Sequence, residues 1–329
     1  MKKKAKILTL VLAAALLVVG GAGCTGGEET QEQFKIGIIQ YNSHVALDTA
    51  REGFVAALQE NGYVEEQNIS IDYQNAQGDQ SNMTTISDRF VSNNVDLVLA
   101  IATPAAQMVA GKTAEIPILA TAITDFAEAR LVESNEAPGG NVSGTTDMNP
   151  IKEQIDLLVK LAPEAKTVGV LYTSNEDNSI LQAAMAKEAI EALGMTYVEA
   201  TVSTSNEVQQ AAQSIVSQCD AIYIPTDNVF ASAMPVVFGV TAESKTPVIC
   251  GESGMVYSGG LATLGINYYD LGYQTGLMAI KIFKGEAEPA TMPIESATRF
   301  DFAINGTVAE DIGIEIPADL QEYVIIPEE

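Results

Sequence analysis

The chain of 329 residues has no tryptophan, one histidine and three cysteines, and each scarcity removes a class of function. One His and three Cys cannot supply the clustered ligands of a zinc site. A lone His44, with no plausible cysteine nucleophile, leaves little for triad or general-base chemistry. There is no G-x-S-x-G elbow, no phosphate-binding P-loop and no G-x-G-x-x-G after the first apolar strand pattern. No catalytic residue, metal or other cofactor is therefore expected. The missing tryptophan also takes away the stacking platform that sugar-binding clefts often use.

What is present begins with a leader. Lys2, Lys3, Lys4 and Lys6 precede an apolar run over 7–19, then the small residues Gly20, Gly21, Ala22 and Gly23, then Cys24. A basic region, a short apolar region and a small-residue cleavage site make a secretory signal, expected to span 1–23. The apolar run falls short of the roughly 20 residues of a membrane span. A cysteine directly after the small residues resembles the bacterial lipobox, so Cys24 is the expected lipidation site and 24–33 a polar tether anchored at the membrane.

Charge narrows the partners. The chain carries 17 Lys and Arg against 43 Asp and Glu; loss of 1–23 removes four Lys and leaves 13 against 43, a net of −30. Such a surface repels phosphate backbones, so nucleic acid is not an expected partner. Cys219 and Cys250 sit in apolar patterns and read as small buried hydrophobes, with a disulfide also open to an exported chain.

The rest is one pattern used twice. Strand-like runs at 34–40 and 166–172 each lead through a loop into helical patterns, 47–58 and 180–193, that end near glycine. Second strands follow at 69–74 and 197–202, second helices at 83–93 and 208–218, third strands at 96–102 and 220–225, fourth strands at 116–120 and 246–250. Gly-rich turns at 138–144 and 258–265 then lead to helices at 151–161 and 271–283. The offset stays near 120–132 residues. Strands alternating with helices, and short Val- and Ile-rich runs, indicate buried parallel sheets. The expected fold class is α/β, with two doubly wound parallel-sheet lobes and a central cleft.

In open α/β sheets ligands bind beyond the C-terminal ends of the strands. The loops so placed are 41–44, 103–106, 121–125, 174–179, 204–205, 226–228 and 252–253. Thr103-Pro104-Ala105-Ala106 opens a helix with Thr at the cap, Pro in the first turn and small residues around free N–H groups, which suits an anion such as a carboxylate. Thr103, the amides of Ala105 and Ala106, and Thr121 are the expected carboxylate site. Asp227, between Thr226 and Asn228, can accept from an ammonium group or cap its own helix, and Glu252 competes for the same role. Ser174 and Asn178 offer further donors. Tyr41 and His44 border the side-chain pocket.

Two repeated lobes behind a lipoprotein signal resemble the type I periplasmic-binding-protein fold. The runs Ser43-His44-Val45-Ala46-Leu47-Asp48, Asn75-Ala76-Gln77-Gly78-Asp79, Ala102-Thr103-Pro104-Ala105-Ala106-Gln107, Glu176-Asp177-Asn178-Ser179, Pro225-Thr226-Asp227-Asn228 and Tyr268-Tyr269-Asp270-Leu271-Gly272 resemble the tryptophan/tyrosine-type substrate-binding lipoproteins of ABC transporters. Val45 stands where that family usually has proline. The resemblance implies a monomeric, non-enzymatic, extracytoplasmic protein that captures a small ligand, in some members an aromatic amino acid, and delivers it to an ABC permease. It also implies a hinge of three crossings, with one lobe over 34–147 and 260–287 and the other over 148–259 and 288–329. A sensing protein for a membrane receptor, and a binder of sugars, nucleosides or other metabolites, are the alternatives left open on the same fold.

Overall fold

The computed structural model of the protein describes residues 33–297 and 299–327. The leader, Cys24 and the tether up to residue 32 lie outside the described residues. The first repeat runs β1 (Phe34–Gln40), α1 (Val45–Glu60), β2 (Ile69–Asn75), α2 (Gln80–Ser92), β3 (Leu97–Ile101), α3 (Thr103–Ala110), β4 (Ile118–Ile123) and β5 (Val142–Thr146). The second runs α4 (Ile151–Leu161), β6 (Thr167–Thr173), α5 (Asp177–Ala192), β7 (Thr196–Val202), α6 (Val208–Ile215), β8 (Ala221–Ile224), α7 (Asn228–Ser232), α8 (Met234–Ser244), β9 (Val248–Cys250), α9 (Ser253–Tyr257) and β10 (Ala262–Ile266). The chain closes with α10 (Tyr268–Phe283), β11 (Glu295–Ser296), β12 (Phe300–Asn305), α11 (Gly306–Ile312) and β13 (Val324–Ile325).

These elements form two sheets, ordered β2-β1-β3-β4-β5-β11 and β7-β6-β8-β9-β10-β12-β13. The first is parallel throughout; in the second the β10–β12 ladder is antiparallel, so β12 and its parallel neighbour β13 run against the other strands. Strands such as β3 and β8 are buried along their whole length because helices cover both faces. That is why they read as continuous apolar runs rather than alternating ones. The switch in strand order falls between β1 and β3 in one lobe and β6 and β8 in the other, which opens a crevice at those strand ends.

The lobe boundaries differ from those expected. β10 pairs with β9 and β12, so 262–266 belong to the second lobe and the chain crosses back near Asn267, not at 260. β11 pairs with β5 through Glu295↔Thr145, so the first lobe keeps the chain to Ser296 rather than releasing it at 287. The backbone groups of these segments find their partners in those ladders, and that decides which lobe they join. The three crossings therefore lie near Asp147, Asn267 and Ala297. β12, β13 and α11 have no counterpart in the repeat and extend only the second sheet. Cys219 and Cys250 are both free thiols.

The crossing helix α10 is fixed to the first lobe by close backbone approach to α1. A Cβ added at Gly272 would lie 1.8 Å from the Ala50 carbonyl oxygen, and one at Gly53 would lie 2.0 Å from the Tyr269 carbonyl oxygen. Gly272→Ala should therefore overpack this seam and cost about 1–3 kcal/mol or more, read as a lower midpoint in urea unfolding with the slope unchanged.

Candidate functional site

The cleft between the lobes holds a small space of about 20 Å³ lined by His44, Leu47, Ala122, Thr124, Asp147, Asn178, Thr226, Asp227, Asn228, Ala231, Glu252, Met255 and Tyr268. The first lobe supplies the start of α1 and the end of β4, the second supplies the starts of α5, α7 and α9, and the crossings supply Asp147 and Tyr268. Backbone strain marks the first-lobe wall. Ala102 and Ala122, at the ends of β3 and β4, hold φ of 82° and 58°, and Ala122 falls where the β4–β5 register shifts. Non-glycine residues in that region cost energy and cluster at sites of function.

The lobes touch through specific contacts. His44 Nε2 meets Asn228 Oδ1 at 3.3 Å, Gln107 donates to Asp177 at 2.8 Å, and Gln182 donates to Thr124 Oγ1 at 3.1 Å. Gln182 also donates to the Thr226 hydroxyl, so one buried amide joins a threonine from each lobe. Val45 lies against Gly254, where any side chain would be only 2.8 Å from the Val45 Cβ. At the hinge the Tyr268 hydroxyl donates to Asp147 at 2.6 Å, which ties two of the three crossings together.

The dominant electrostatic fact is acid without base. Asp147, Asp227 and Glu252 line the space and Glu176 lies buried behind Asn228, yet no Lys or Arg lines it. None of the six ion pairs among the described residues involves these four acids. Burial disfavours a charged carboxylate. It raises Asp147 to about 6, against the bonds from Tyr268 and Thr124, and Glu252 to about 7, against its helix N–H bonds. Glu176 and Asp227 are both raised, by burial and, at Glu176, by the facing Asp227 charge. Burial also pushes His44 down to about 4, so its ring is neutral.

Six expected site residues line the space: His44, Asn178, Thr226, Asp227, Asn228 and Glu252. The two carboxylates proposed for an ammonium both have local work. Asp227 caps α7 through Phe230 N–H at 2.9 Å and accepts from the amide and hydroxyl of Thr173 at 2.6 and 2.8 Å. Glu252 caps α9 through the amides of Gly254 and Met255.

The other six do not line the space. The Thr121 hydroxyl turns into a buried chain with Thr145 and Thr275. The Ala106 N–H is already spent on the Ala102 carbonyl at 3.1 Å. Thr103 and Ala105 are buried at the start of α3, and Tyr41 is buried near Glu176 and Asp227. Ser174 bonds outward, to the Val202 carbonyl and Ser203. Leu47, Ala231, Met255, Asp147 and Tyr268 were not expected, whereas Ala122 and Thr124 fall inside a strand-end loop that was. Asp147 also follows a strand, β5, and that signal was there to be used.

The profile of the ABC transporter substrate binding protein family matches residues 35–324. A tyrosine-binding protein of Clostridioides difficile is 39% identical over 336 residues, covering 98% of this chain and 97% of its own. An ABC domain from Streptococcus pneumoniae, solved in complex with L-Trp, is 40% identical with a TM-score of 0.86, over 89% of this chain and 100% of that one. The ligand-free, open structure of a substrate binding protein with adhesive properties from Clostridium difficile is 44% identical, over 89% of this chain and 99% of that one, yet its TM-score is 0.69. The lobes here thus sit closer to the arrangement of the L-Trp complex than to that open form, in keeping with the bonds that cross the cleft.

The buried acids set a stability signature. A carboxyl whose folded pKa is raised binds more protons folded than unfolded, so its contribution falls as pH rises from the unfolded value through the folded one. His44, with a lowered folded value, acts oppositely, but only below about pH 6.5. Without ligand, the unfolding free energy should fall as pH is raised from 6.5 to 8, by up to about 1.4 kcal/mol per pH unit for each proton involved, and the melting temperature should fall with it. Glu176→Gln should make that fall shallower in thermal denaturation at matched ionic strength; an unchanged slope would mean that Glu176 is not a titrating group there.

Proposed function

Because the chain belongs to the ABC transporter substrate binding protein family, we propose that it is the extracytoplasmic component of an importer for an amino acid, aromatic side chains favoured, handing its ligand to permease subunits. The observation that carries the amino-acid reading is the closed, acid-lined and cation-free space between the lobes. Uncompensated buried carboxylates favour a ligand that brings positive charge. Leu47, Ala122, Ala231 and Met255, with the ring of Tyr268, give the same space an apolar wall for a side chain. The Thr226 hydroxyl, whose oxygen accepts from Gln182, keeps its hydrogen to donate to the ligand carboxylate. The tyrosine-binding relative and the L-Trp complex support aromatic amino acids as the first ligands to test.

Closure follows as a population shift. Open and closed forms exchange about the three crossings, and a ligand that contacts both lobes favours the closed one, which the permease reads. The leader and Cys24 support export and lipid attachment at the outer face of the cell membrane, with the protein acting as a monomer.

The test is a thermal-shift panel of the twenty amino acids, sugars and nucleosides. L-tyrosine or L-tryptophan at 100 times its Kd should add about 2.7 kcal/mol of stability. A shift from sugars or nucleosides alone would refute the amino-acid reading. In globomycin-treated cells, full-length protein retaining its leader would support processing at Cys24, and unchanged processing would argue against lipidation.

A further inference from the structure

Six buried side-chain polar atoms have no hydrogen-bond partner among the described residues, and three of them belong to one small cluster: His44 Nδ1, Glu176 Oε1 and Asn178 Oδ1. Buried polar atoms are ordinarily paired, so a concentration at one place calls for a physical reason. His44 Nδ1 and Asn178 Oδ1 are acceptors, and Glu176 Oε1 becomes one when its carboxyl, raised by burial, gives up its proton. Their orientation is dictated by neighbours. Asn178 gives its amide N–H to the Thr226 carbonyl at 3.0 Å, which leaves Oδ1 as its free end. Asn228 gives its amide N–H to Glu176 Oε2 at 2.6 Å, so its Oδ1 is what faces His44. An amide oxygen only accepts, so His44 Nε2 must carry the proton and Nδ1 must present a lone pair.

Glu176 therefore acts across the cleft, through Asn228, on the tautomer of a histidine in the other lobe. His44, Asn178 and Asn228 all line the enclosed space, and Asp227 adds a second carboxylate beside Glu176. The geometry points to His44 Nδ1 and Asn178 Oδ1 as the seat of the ligand's primary ammonium, with Glu176 as the positioning residue that fixes the histidine tautomer and supplies the compensating charge. This rests on the amino-acid reading, and it moves the ammonium away from Asp227 and Glu252, whose carboxylates already cap helices. An ammonium has three N–H donors and no acceptor, which suits a corner made of acceptors. Because the seat is assembled from both lobes, filling it also joins ligand binding to closure.

His44 is the only histidine, so histidine-selective ¹⁵N NMR reads this site without assignment. In wild-type protein, L-tyrosine should move the Nδ1 resonance while Nε2 remains protonated. Calorimetry should give L-tyrosine at least tenfold tighter binding than its des-amino analogue, 3-(4-hydroxyphenyl)propanoate. Glu176→Gln keeps an acceptor for Asn228 but removes the charge, and should shrink that preference severalfold with most of the loss on L-tyrosine. If wild-type protein binds L-tyrosine with no response at Nδ1, and Glu176→Gln keeps the full preference for the amine, the seat is wrong while the amino-acid reading stands. The NMR arm decides even if the variant folds poorly. If neither L-tyrosine nor L-tryptophan binds wild-type protein, both readings fall.

Discussion

Carboxylates taken out of water with no cation beside them are costly, and the protein has gathered four around one crevice. Asp147, Glu176, Asp227 and Glu252 come from separate segments, and the fold brings them together because each follows a strand of a doubly wound sheet. Their burden is eased locally: Glu252 and Asp227 cap helices, Asp147 accepts from Tyr268, and Glu176 accepts from Asn228. Helix N-termini favour negative charge, so these positions tolerate acids better than other buried ones would. What remains uncompensated is a field that favours a positive group between the lobes.

The same residues connect chemistry to motion. Asp147 and Tyr268 lie at two of the three crossings and bond to each other, so the hinge forms one wall of the ligand space. The chain from Glu176 through Asn228 to His44 spans the crevice, and Gln182 joins Thr124 to Thr226. These contacts exist only when the lobes are together. Within the first lobe, α1 and α10 pack backbone to backbone at Gly53 and Gly272, which fixes the crossing helix to that lobe.

Much of this was legible in the sequence. The repeat gave two lobes, and strand-end logic nominated the loops holding His44, Thr124, Asn178, Asp227 and Glu252. Three things were not legible. Pairing beyond the repeat decides the lobe boundaries, and β10, β11 and β12 are too short or too irregular to announce their partners. Side-chain direction within a loop depends on packing: Thr121 and Ser174 sit at the right strand ends but spend their hydroxyls elsewhere. Glu176 looked like a polar loop residue, and only its bond to Asn228 and the unpaired atoms around it give it a role. The leader and Cys24 lie outside the described residues, so lipid attachment rests on the sequence alone.

The claim that this acid-lined crevice is completed by a ligand cation has a direct thermodynamic consequence. An ammonium entering the site lowers the raised carboxyl pKa values, and protons must leave as it binds. Titration calorimetry of L-tyrosine near pH 7, repeated in buffers of different ionisation enthalpy, counts those protons. The account predicts net release approaching one proton per ligand, shrinking as the pH is raised well above 8. Binding that releases no proton, with an affinity independent of pH from 6 to 8, would contradict it.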